Sequence, residues 1–446
     1  MALFGTDGAR GVANHTLTAT LAFEIAKGAA AFLPERARVL IARDTRVSGP
    51  LLESALSAGF LESGVEVMLA GVVPTPALAY LIGAMEADAG VMISASHNPP
   101  QYNGIKLLDR AGRKWEVADE EAVENTISQK AWKNPDPERI GRLFHYEEVA
   151  PSLYRNRLVE LFAGRMPDWS VVLDVGHGAS GQTAPEIFTA LGLRTQVIHG
   201  EPLGDLINVN CGATHPEKVR EAVLRRQANL GLSFDGDADR VIAVDGEGRI
   251  VDGDEILYVL ARYLKSQGKL PKNQVVATVM TNLGMERALE EQHIELLRTP
   301  VGDRFVAQEL RARGAMLGGE QSGHVILKEW TETGDGVLTG LALMVALKEM
   351  GLTLAEAVAP VVRYPQILRN VPLETTIEDW RTIPGLEELV RDAETALGQE
   401  GRVLIRLSGT EPLLRIMLEG RDVQAINEWA HRLEAGVRQA LESAEA

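Results

Sequence analysis

A strand–helix–strand alternation occurs three times along this chain, and each occurrence ends in a short polar loop. The first has apolar runs at 39–42, 65–69 and 89–93, the second spans 171–234, and the third spans 275–319. This alternation predicts mostly parallel sheets with helices on both faces. Because such sheets bind ligands at the carboxyl ends of their strands, the polar loops are where we expect the chemistry.

The C-terminal part has a different pattern. It contains a helical stretch at 380–399, two strand-like runs at 402–407 and 414–418, and a helical stretch at 422–443. These elements predict a smaller α+β domain. A chain of 446 residues is also too long for one hydrophobic core. We therefore predict an α/β protein with three tandem α/β domains of similar plan, built on mixed or parallel sheets, at 1–150, 151–250 and 251–365, followed by an α+β domain at 366–446.

The composition limits the partners of the protein. Its net charge of −17 disfavours nucleic acid and anionic membranes, because both bind basic surfaces. The one cysteine, Cys211, has no basic neighbour to activate it, and a chain without disulfides fits a reducing compartment. The N-terminus lacks the features of a signal peptide, and the apolar stretch 337–347 is too short to span a bilayer. We therefore expect a cytoplasmic protein with no nucleic-acid or membrane partner.

The first polar loop places Ser96 beside His97, just after the apolar run 89–93. Two prolines follow and end the strand. We expect Ser96 on a stiff, exposed turn, with a second tight turn at 101–104 and with Lys106 nearby. An ordinary Ser/Asn/Pro turn is the alternative, so the interpretation depends on the other loops.

The second polar loop carries three aspartates at alternate positions, Asp235, Asp237 and Asp239. Three adjacent carboxylates at the end of an apolar strand would repel one another, which disfavours a merely solvated turn. Oxygen ligands of this kind suit Mg²⁺ or Ca²⁺ rather than zinc. An EF-hand does not fit, because its sixth position would be Arg240 and its twelfth would be Gly246.

Three aspartates leave an octahedral coordination shell incomplete. A phosphorylated Ser96, from the equivalent loop of the first repeat, would add a dianionic ligand with three acceptor oxygens. A metal held there would polarise the phosphoryl group for transfer. We therefore predict a metal centre made of Ser96, Asp235, Asp237 and Asp239.

Two further loops carry groups suited to a phosphorylated sugar. The loop at 319–324 offers polar side chains for sugar hydroxyls, and the loop at 408–412 suits a phosphate. A hairpin turn with exposed arginines is the alternative for the second of these loops. The sugar-binding candidates are Glu320, Ser322 and His324, and the phosphate cradle would consist of Arg406, Ser408, Gly409, Thr410 and Arg415.

Five motifs occur in a fixed order, and together they point to a family. They are FGTDG at 4–8, ASHNP at 95–99, DGDADR at 235–240, GEQSGH at 319–324 and SGTEP at 408–412. With these motifs the chain resembles the α-D-phosphohexomutases over essentially its whole length. The GEQSGH motif and VGDR at 301–304 are similar to members that act on glucosamine phosphates, although Ala238 stands where those members commonly have Gly. The resemblance thus implies a hexosamine phosphate as substrate, with mannose and glucose phosphates as alternatives.

The resemblance also implies a mechanism. Four domains would surround a central cleft, and Ser96 would carry a phosphoryl group beside one Mg²⁺. Transfer of that group to a glucosamine phosphate would give glucosamine 1,6-bisphosphate, for which glucose 1,6-bisphosphate could substitute as activator. Return of the other phosphate to Ser96 would interconvert glucosamine 6-phosphate and glucosamine 1-phosphate, for cell-wall precursor synthesis. A homodimer is one possible assembly, and the sequence does not decide the oligomeric state.

The resemblance assigns roles to individual residues. The implied catalytic residues are Ser96, His97, Lys106, Arg10 and His324, of which Lys106 and His324 are both candidates for the general base. The implied substrate-binding residues are Arg240, Thr299, Gly302, Asp303, Arg304, Glu320, Ser322, Arg406, Ser408, Gly409, Thr410 and Arg415.

Three other functions compete with this interpretation. A metal-dependent sugar phosphatase would share Ser96 and the aspartates but would not need the arginine cradle. A non-catalytic sugar-phosphate sensor would carry no phosphoserine. A serine hydrolase is disfavoured, because adjacent Ser96 and His97 do not easily form a nucleophile–base pair and no Gly-x-Ser-x-Gly elbow surrounds the serine.

Overall fold

The chain forms two compact units. The computed structural model describes residues 3–5, 7–132, 134–373, 377, 379–407 and 412–445. One unit comprises Met1–Thr281 with Gln292–Pro360, and the other comprises Asn282–Glu291 with Val361–Ala446. The α/β class and the small C-terminal α+β region are confirmed, whereas the domain boundaries at 150, 250 and 365 stay predictions.

The first region is a mixed sheet flanked by helices. In chain order its elements are β1 (Ala9–Val12), α1 (Ala19–Ala30), β2 (Arg38–Arg43), α2 (Gly49–Glu62), β3 (Glu66–Val72), α3 (Thr75–Ala84), β4 (Ala89–Ile93), β5 (Tyr102–Leu108), α4 (Val117–Gln129), a 3₁₀ turn (Pro137–Arg139) and β6 (Leu143–His145). The sheet order is β1-β5-β4-β2-β3-β6. Helix α1 begins directly after Thr18, whose hydroxyl accepts a hydrogen bond from the Leu21 backbone N–H at 3.1 Å.

The second region repeats this plan on a smaller scale. Its elements are α5 (Ala150–Phe162), β7 (Ser170–Asp174), α6 (Ser180–Ala190), β8 (Arg194–Ile198), α7 (Glu217–Arg226), β9 (Leu230–Phe234), β10 (Val241–Asp245) and β11 (Ile250–Val251). The sheet order is β11-β10-β9-β7-β8. Every residue of β9 and β10 is buried, which fits their mainly apolar sequences.

The third region has the same plan again. Its elements are α8 (Gly253–Ser266), a 3₁₀ turn (Pro271–Asn273), β12 (Gln274–Thr278), α9 (Leu283–Glu291), β13 (Glu295–Thr299), α10 (Asp303–Arg313), β14 (Leu317–Gly319), β15 (Val325–Leu327), α11 (Gly336–Met350) and α12 (Leu354–Val358). The sheet order is β13-β12-β14-β15. Helix α9 follows β12 in sequence but belongs to the second compact unit.

The three sheets share one topology. In each, the first strand of the strand–helix–strand part lies between two parallel neighbours: β2 lies between β3 and β4, β7 between β8 and β9, and β12 between β13 and β14. The third strand then turns back into an antiparallel partner, as β4 pairs with β5, β9 with β10 and β14 with β15. The prediction of mostly parallel sheets thus holds for the strand–helix–strand parts, and each polar motif occupies the connection to the returning strand.

The second unit carries an antiparallel sheet. Its remaining elements are β16 (Gln366–Pro372), a 3₁₀ turn (Trp380–Thr382), α13 (Leu386–Leu397), a 3₁₀ turn (Gly398–Glu400), β17 (Gly401–Leu407), β18 (Leu413–Gly420) and α14 (Val423–Glu445). The order is β16-β18-β17, with both pairings antiparallel. Leu414, Ile416 and Leu418 of β18 pack with Leu386 and Leu433 of the helices in one core.

Two local predictions are wrong. The predicted tight turn at 101–104 is largely strand, because Tyr102 to Gly104 pair with residues 10–12 of β1. The predicted helix at 380–399 is divided, because Pro384 cannot continue a helix and α13 begins only at Leu386. Among the helices that the structure describes, none is long and apolar enough to cross a membrane.

A buried carboxyl at the start of α11 should make stability depend on pH. Asp335 accepts hydrogen bonds from the Tyr154 hydroxyl and from the Leu338 N–H, all at 2.9 Å, and burial raises its pKa to about 6. Below that pH the folded protein keeps a proton that the unfolded chain has released, so this carboxyl contributes stability that is lost as pH rises from about 4 to above 6. The loss corresponds to roughly 3 kcal/mol.

The Asp335→Asn variant should therefore lack this part of the pH dependence. Thermal unfolding of both proteins between pH 4 and 7 should show the wild type falling relative to the variant as pH rises. Asp168→Asn, at an exposed site, controls for charge removal. A constant difference in melting temperature across this range would contradict the prediction.

Candidate active site

Ser96 lies in the connection between β4 and β5 and is fully buried. Its prediction as part of an exposed turn is wrong, because loops of the second region cover it. The Asn208 side chain donates to the Ser96 carbonyl at 2.9 Å, and the backbone of Gly236 approaches the same carbonyl closely. The serine has a left-handed backbone with φ of 50°, a conformation that is strained for a residue with a Cβ.

The Ser96 loop meets the aspartate loop, which connects β9 and β10. Asp235, Asp237 and Asp239 are buried, and one carboxylate oxygen from each lies within 4.8 Å of the others. The Ser96 hydroxyl donates to Asp235 Oδ2 at 2.6 Å. The fold therefore brings together the four residues that the sequence predicts as a metal centre.

The buried carboxylates repel one another. Burial, together with the charges of Asp239 and Asp237, raises the pKa of Asp235 well above its ordinary value. Burial and the Asp237 charge also raise the pKa of Asp239. Burial acts in the same direction on Asp237, but the Lys106 ammonium and the Thr75 hydroxyl outweigh it and lower the pKa of that carboxyl. Ionisation of all three carboxylates together is therefore unfavourable unless further positive charge lies beside them.

The aspartate cluster fits a hard divalent cation. Asp237 Oδ2 accepts hydrogen bonds from Thr75 Oγ1 at 2.6 Å and from Lys106 Nζ at 2.9 Å. Asp237 Oδ1 and Asp239 Oδ1 are buried and have no hydrogen-bond partner within the described part of the chain. A buried carboxylate oxygen without a hydrogen bond lowers the stability of the fold unless a cation binds it. The acidic triad can therefore hold a metal ion.

Lys106, on β5, balances part of the negative charge. Its Nζ lies 2.9 Å from Asp237, 3.3 Å from Asp7 and 3.7 Å from Asp239. Burial alone would lower the pKa of this lysine, but the three carboxylates raise it above the ordinary value. Arg10 forms an ion pair with Asp7 beside it. Lys106 therefore stays protonated near neutral pH.

His97 and Arg240 flank the serine and the aspartates. His97 Nδ1 lies 3.2 Å from the Ser96 hydroxyl oxygen. Burial and the charges of Arg240 and Arg10 lower the pKa of His97 to about 4, so its imidazole is neutral near pH 7. The backbone N–H of Arg240 donates to Asp235 Oδ1 at 3.1 Å, and its Nε lies 3.8 Å from Asp239 Oδ1.

The third region contributes a polar cluster around the 320–324 connection. Glu320 Oε1 accepts from the Gly302 N–H at 3.1 Å, and His324 Nε2 lies 3.6 Å from Asp303. The buried guanidinium of Arg304 donates to Glu120 at 2.8 Å. Two other predicted residues also lie in this region. The Thr299 hydroxyl donates to the neighbouring Pro300 carbonyl at 3.0 Å, and Ser322 is exposed.

Comparison with known proteins identifies the family. Phosphoglucomutase/phosphomannomutase profiles match residues 1–134 as alpha/beta/alpha domain I, 152–248 as domain II, 252–364 as domain III and 368–436 as the C-terminal domain. The chain belongs to the phosphoglucomutase/phosphomannomutase family. The resemblance to the phosphohexomutases drawn from the five motifs is therefore confirmed.

Relatives of this phosphoglucomutase/phosphomannomutase chain span its length. A Thermoanaerobacter pseudethanolicus protein named phosphoglucosamine mutase is 46% identical over 437 residues, or 97% of each chain. One of the same name from Clostridium novyi is 44% identical over 437 residues, again 97% of each chain.

Solved structures of the family share the fold. A phosphoglucomutase/phosphomannomutase family protein from Burkholderia thailandensis has a TM-score of 0.82 at 26% identity, covering 100% of this chain and 98% of its own. Aspergillus fumigatus N-acetylphosphoglucosamine mutase, solved with GlcNAc-6P and magnesium, has a TM-score of 0.69 at 17% identity, covering 98% of this chain and 96% of its own. At that identity the second match shows the fold alone.

The second unit of this phosphoglucomutase/phosphomannomutase chain places two predicted arginines side by side. Arg406 on β17 pairs directly with Arg415 on β18. Burial and the Arg415 charge lower the pKa of Arg406, as expected when like charges face each other. The other predicted cradle residues, Ser408, Gly409 and Thr410, lie outside the described residues.

Sequence reasoning missed several residues that complete the site. The Thr75 hydroxyl donates to Asp237 Oδ2, and Lys114 forms ion pairs with both Asp303 and Asp7, the aspartate of the FGTDG motif. Arg46 binds the backbone of the Ser96 loop. The sequence carries no local signal for these roles, because each depends on contacts between residues far apart in the chain.

His324 has little room to move, which gives a test of its position. A Cβ at Gly334 would lie 2.5 Å from His324 Nε2 and 2.7 Å from the Asp239 carbonyl. We expect Gly334→Ala to displace the imidazole, at a cost of about 1–3 kcal/mol in stability and about 10- to 100-fold in kcat. Gly83→Ala is the control, because nothing lies within 4 Å of the added carbon there. Equal kcat values for the two variants would contradict the expected displacement.

Proposed function

We propose that this protein interconverts glucosamine 6-phosphate and glucosamine 1-phosphate through a phosphorylated Ser96. The observation that carries the proposal is the 2.6 Å contact between the Ser96 hydroxyl and Asp235 in the buried acidic triad. It places a nucleophile where a dianionic phosphoserine and a divalent cation would neutralise each other. The names of the relatives that are 44–46% identical support glucosamine phosphate as the substrate.

The proposed cation is Mg²⁺, held by Asp235, Asp237, Asp239 and the phosphate of Ser96. When bound, it would neutralise charge on the phosphoryl group during transfer. Lys106 and Arg240 add positive charge at the same place, and the buried site excludes water that would otherwise accept the phosphoryl group. The neutral His97 imidazole lies beside the serine oxygen without adding a competing charge.

In the proposed reaction the bond between Ser96 Oγ and phosphorus breaks as the substrate hydroxyl bonds to that phosphorus. The hydroxyl proton passes to His324, the candidate general base. Lys106, the other candidate proton carrier, is held as an ammonium by three carboxylates and can act only as a proton donor. The product is glucosamine 1,6-bisphosphate. This intermediate rotates in the site and then returns its other phosphoryl group to Ser96. Either this compound or glucose 1,6-bisphosphate would load a dephosphorylated enzyme. We place the reaction in the cytoplasm, where it would feed cell-wall precursor synthesis.

Phosphorus NMR tests the proposal directly. The phosphorylated, Mg²⁺-loaded protein is given glucosamine 6-phosphate, glucose 6-phosphate and mannose 6-phosphate separately. We expect fastest interconversion with the glucosamine compound. Faster turnover of glucose or mannose phosphate would assign the protein to another activity of the family, and release of inorganic phosphate alone would identify a phosphatase.

Arg415 tests the proposed phosphate cradle. We expect Arg415→Ala to raise KM about 10- to 100-fold, because a charged hydrogen bond to phosphate contributes about 1.5–3 kcal/mol. The melting temperature should change little. Arg421→Ala, which removes an exposed arginine of the same unit, is the control. An unchanged KM in Arg415→Ala would mean that the substrate phosphate binds elsewhere.

A further inference from the structure

We propose that Arg46 is a positioning residue for phosphoryl transfer, one that fixes the loop carrying Ser96 in its reactive conformation. This inference rests on the proposed function. Arg46 lies between β2 and α2, is fully buried, and follows Asp44, which is buried as well. A buried arginine is rare and needs partners for every donor.

Arg46 uses all five of its guanidinium N–H donors. Nε donates to Asp44 Oδ2 at 2.9 Å. The other four bonds go to backbone carbonyls of the catalytic loop. They run to Ser96 at 2.9 Å, Asn98 at 2.8 Å, Pro99 at 2.6 Å and Tyr102 at 2.9 Å. One side chain therefore holds the whole turn from the nucleophile to the start of β5.

Asp44 connects this clamp to the other side of the serine. The Ser94 hydroxyl donates to Asp44 Oδ2 at 2.6 Å and accepts from the Ser96 N–H at 2.9 Å. The peptide groups before and after Ser96 are thus both tied to the Asp44–Arg46 pair. This arrangement stabilises the left-handed φ of 50° at Ser96, which a residue with a Cβ would not keep unaided.

The clamp has a consequence for catalysis. Ser96 changes its charge by nearly two units whenever it gains or loses a phosphoryl group. The four bonds to the loop keep the Ser96 backbone in one conformation in both states, so the loop needs no reorganisation during transfer. A purely structural Arg46 would instead affect only the amount of folded protein.

The test compares Arg46→Lys with Arg43→Lys. A lysine offers three donors from a single nitrogen and leaves at least two of the five acceptors unbound. Arg43 is a close control, because it lies in β2 and pairs with Glu53 outside the site. We expect Arg46→Lys to lower kcat per folded molecule at least about 10-fold while KM stays within about threefold, and Arg43→Lys to match the wild type.

Hydrogen exchange gives a second measurement that needs no turnover. Amides in 94–104 should exchange faster in Arg46→Lys, with no matching change in β7 or β9. Wild-type kcat and wild-type exchange in this variant would overturn the proposal, as would a loss of folded protein with kcat per folded molecule unchanged. If wild-type protein fails to interconvert glucosamine phosphates, the proposed function fails, and the exchange experiment still decides whether Arg46 holds the loop.

If Arg46→Lys does not fold, the Asn208→Ala variant still tests the proposal. This change removes the other donor to the Ser96 carbonyl but leaves the five bonds of Arg46 intact. The clamp predicts near-wild-type exchange in 94–104 for this variant. Exchange raised throughout the segment would show that Arg46 does not hold the loop, and would overturn the proposal.

Discussion

Ser96→Ala should reduce kcat by at least about 10⁴-fold, because removal of a covalent nucleophile leaves only binding and electrostatic effects. Intact-mass analysis should show loss of the phosphoryl group that the wild type acquires from glucose 1,6-bisphosphate. The melting temperature should fall by only a few degrees, since the hydroxyl makes one strong hydrogen bond, to Asp235, worth about 1–3 kcal/mol.

Ser57→Ala provides the matched control for Ser96→Ala. Ser57 is also a buried serine, and its hydroxyl donates to the Glu53 carbonyl within α2. We expect wild-type kcat and a similar small change in melting temperature. Substantial turnover by Ser96→Ala, after removal of any contaminating host enzyme, would exclude the phosphoserine mechanism.

Asp237→Asn should weaken Mg²⁺ binding at least about 100-fold, since even the loss of an outer partner of a metal ligand costs about 10- to 100-fold. The amide keeps an acceptor for Thr75 but removes the charge that faces Lys106. Lys106 would then add net repulsion toward the cation. Calorimetric titration with Mg²⁺ measures the effect without any turnover.

Asp245→Asn controls for the loss of a buried carboxylate in the same sheet. Asp245 ends β10, and its Oδ1 accepts from the backbone N–H groups of Glu247 and Arg249, away from the triad. Its variant should bind Mg²⁺ as the wild type does. Equal affinities for Asp237→Asn and wild type would show that the triad is not the cation site.

Much of the fold could be predicted because the parallel strands are continuous apolar runs bounded by polar loops. The runs at 89–93 and 230–234 match β4 and β9 residue for residue, and every residue of both strands is buried. The start of β5 could not be predicted, because residues 102–104 are polar or small and become strand only by pairing with β1. A strand that is buried on both faces can be predicted from its own apolar sequence. A strand that forms only by pairing with a distant segment cannot.

The site shows the same division. The spacing of Asp235, Asp237 and Asp239 was sufficient to suggest a metal centre, because the three share one short connection. The burial of Ser96 was not foreseeable, since Asn208 and Gly236 cover it from more than a hundred positions away. Arg46 was missed for the same reason: its carbonyl partners lie about fifty residues further along the chain, and a basic residue before a helix resembles any surface arginine.

Helix α9 determines where the chain can be divided. Its residues lie in sequence between β12 and β13, two adjacent parallel strands, yet they belong to the compact unit formed by 361–446. Asn282 exchanges two hydrogen bonds of 2.9 Å with the Tyr364 backbone, and the Leu283 N–H donates to Glu419 at 2.9 Å. A fragment ending at Pro360 would retain this helix without its partners, and a fragment beginning at Val361 would lack it. Although its plan is repeated, the protein therefore cannot be cut into independent domains at the ends of the repeats. A truncated or fused protein must keep residues 361–446 together with α9 and with β12 and β13, the strands that flank it.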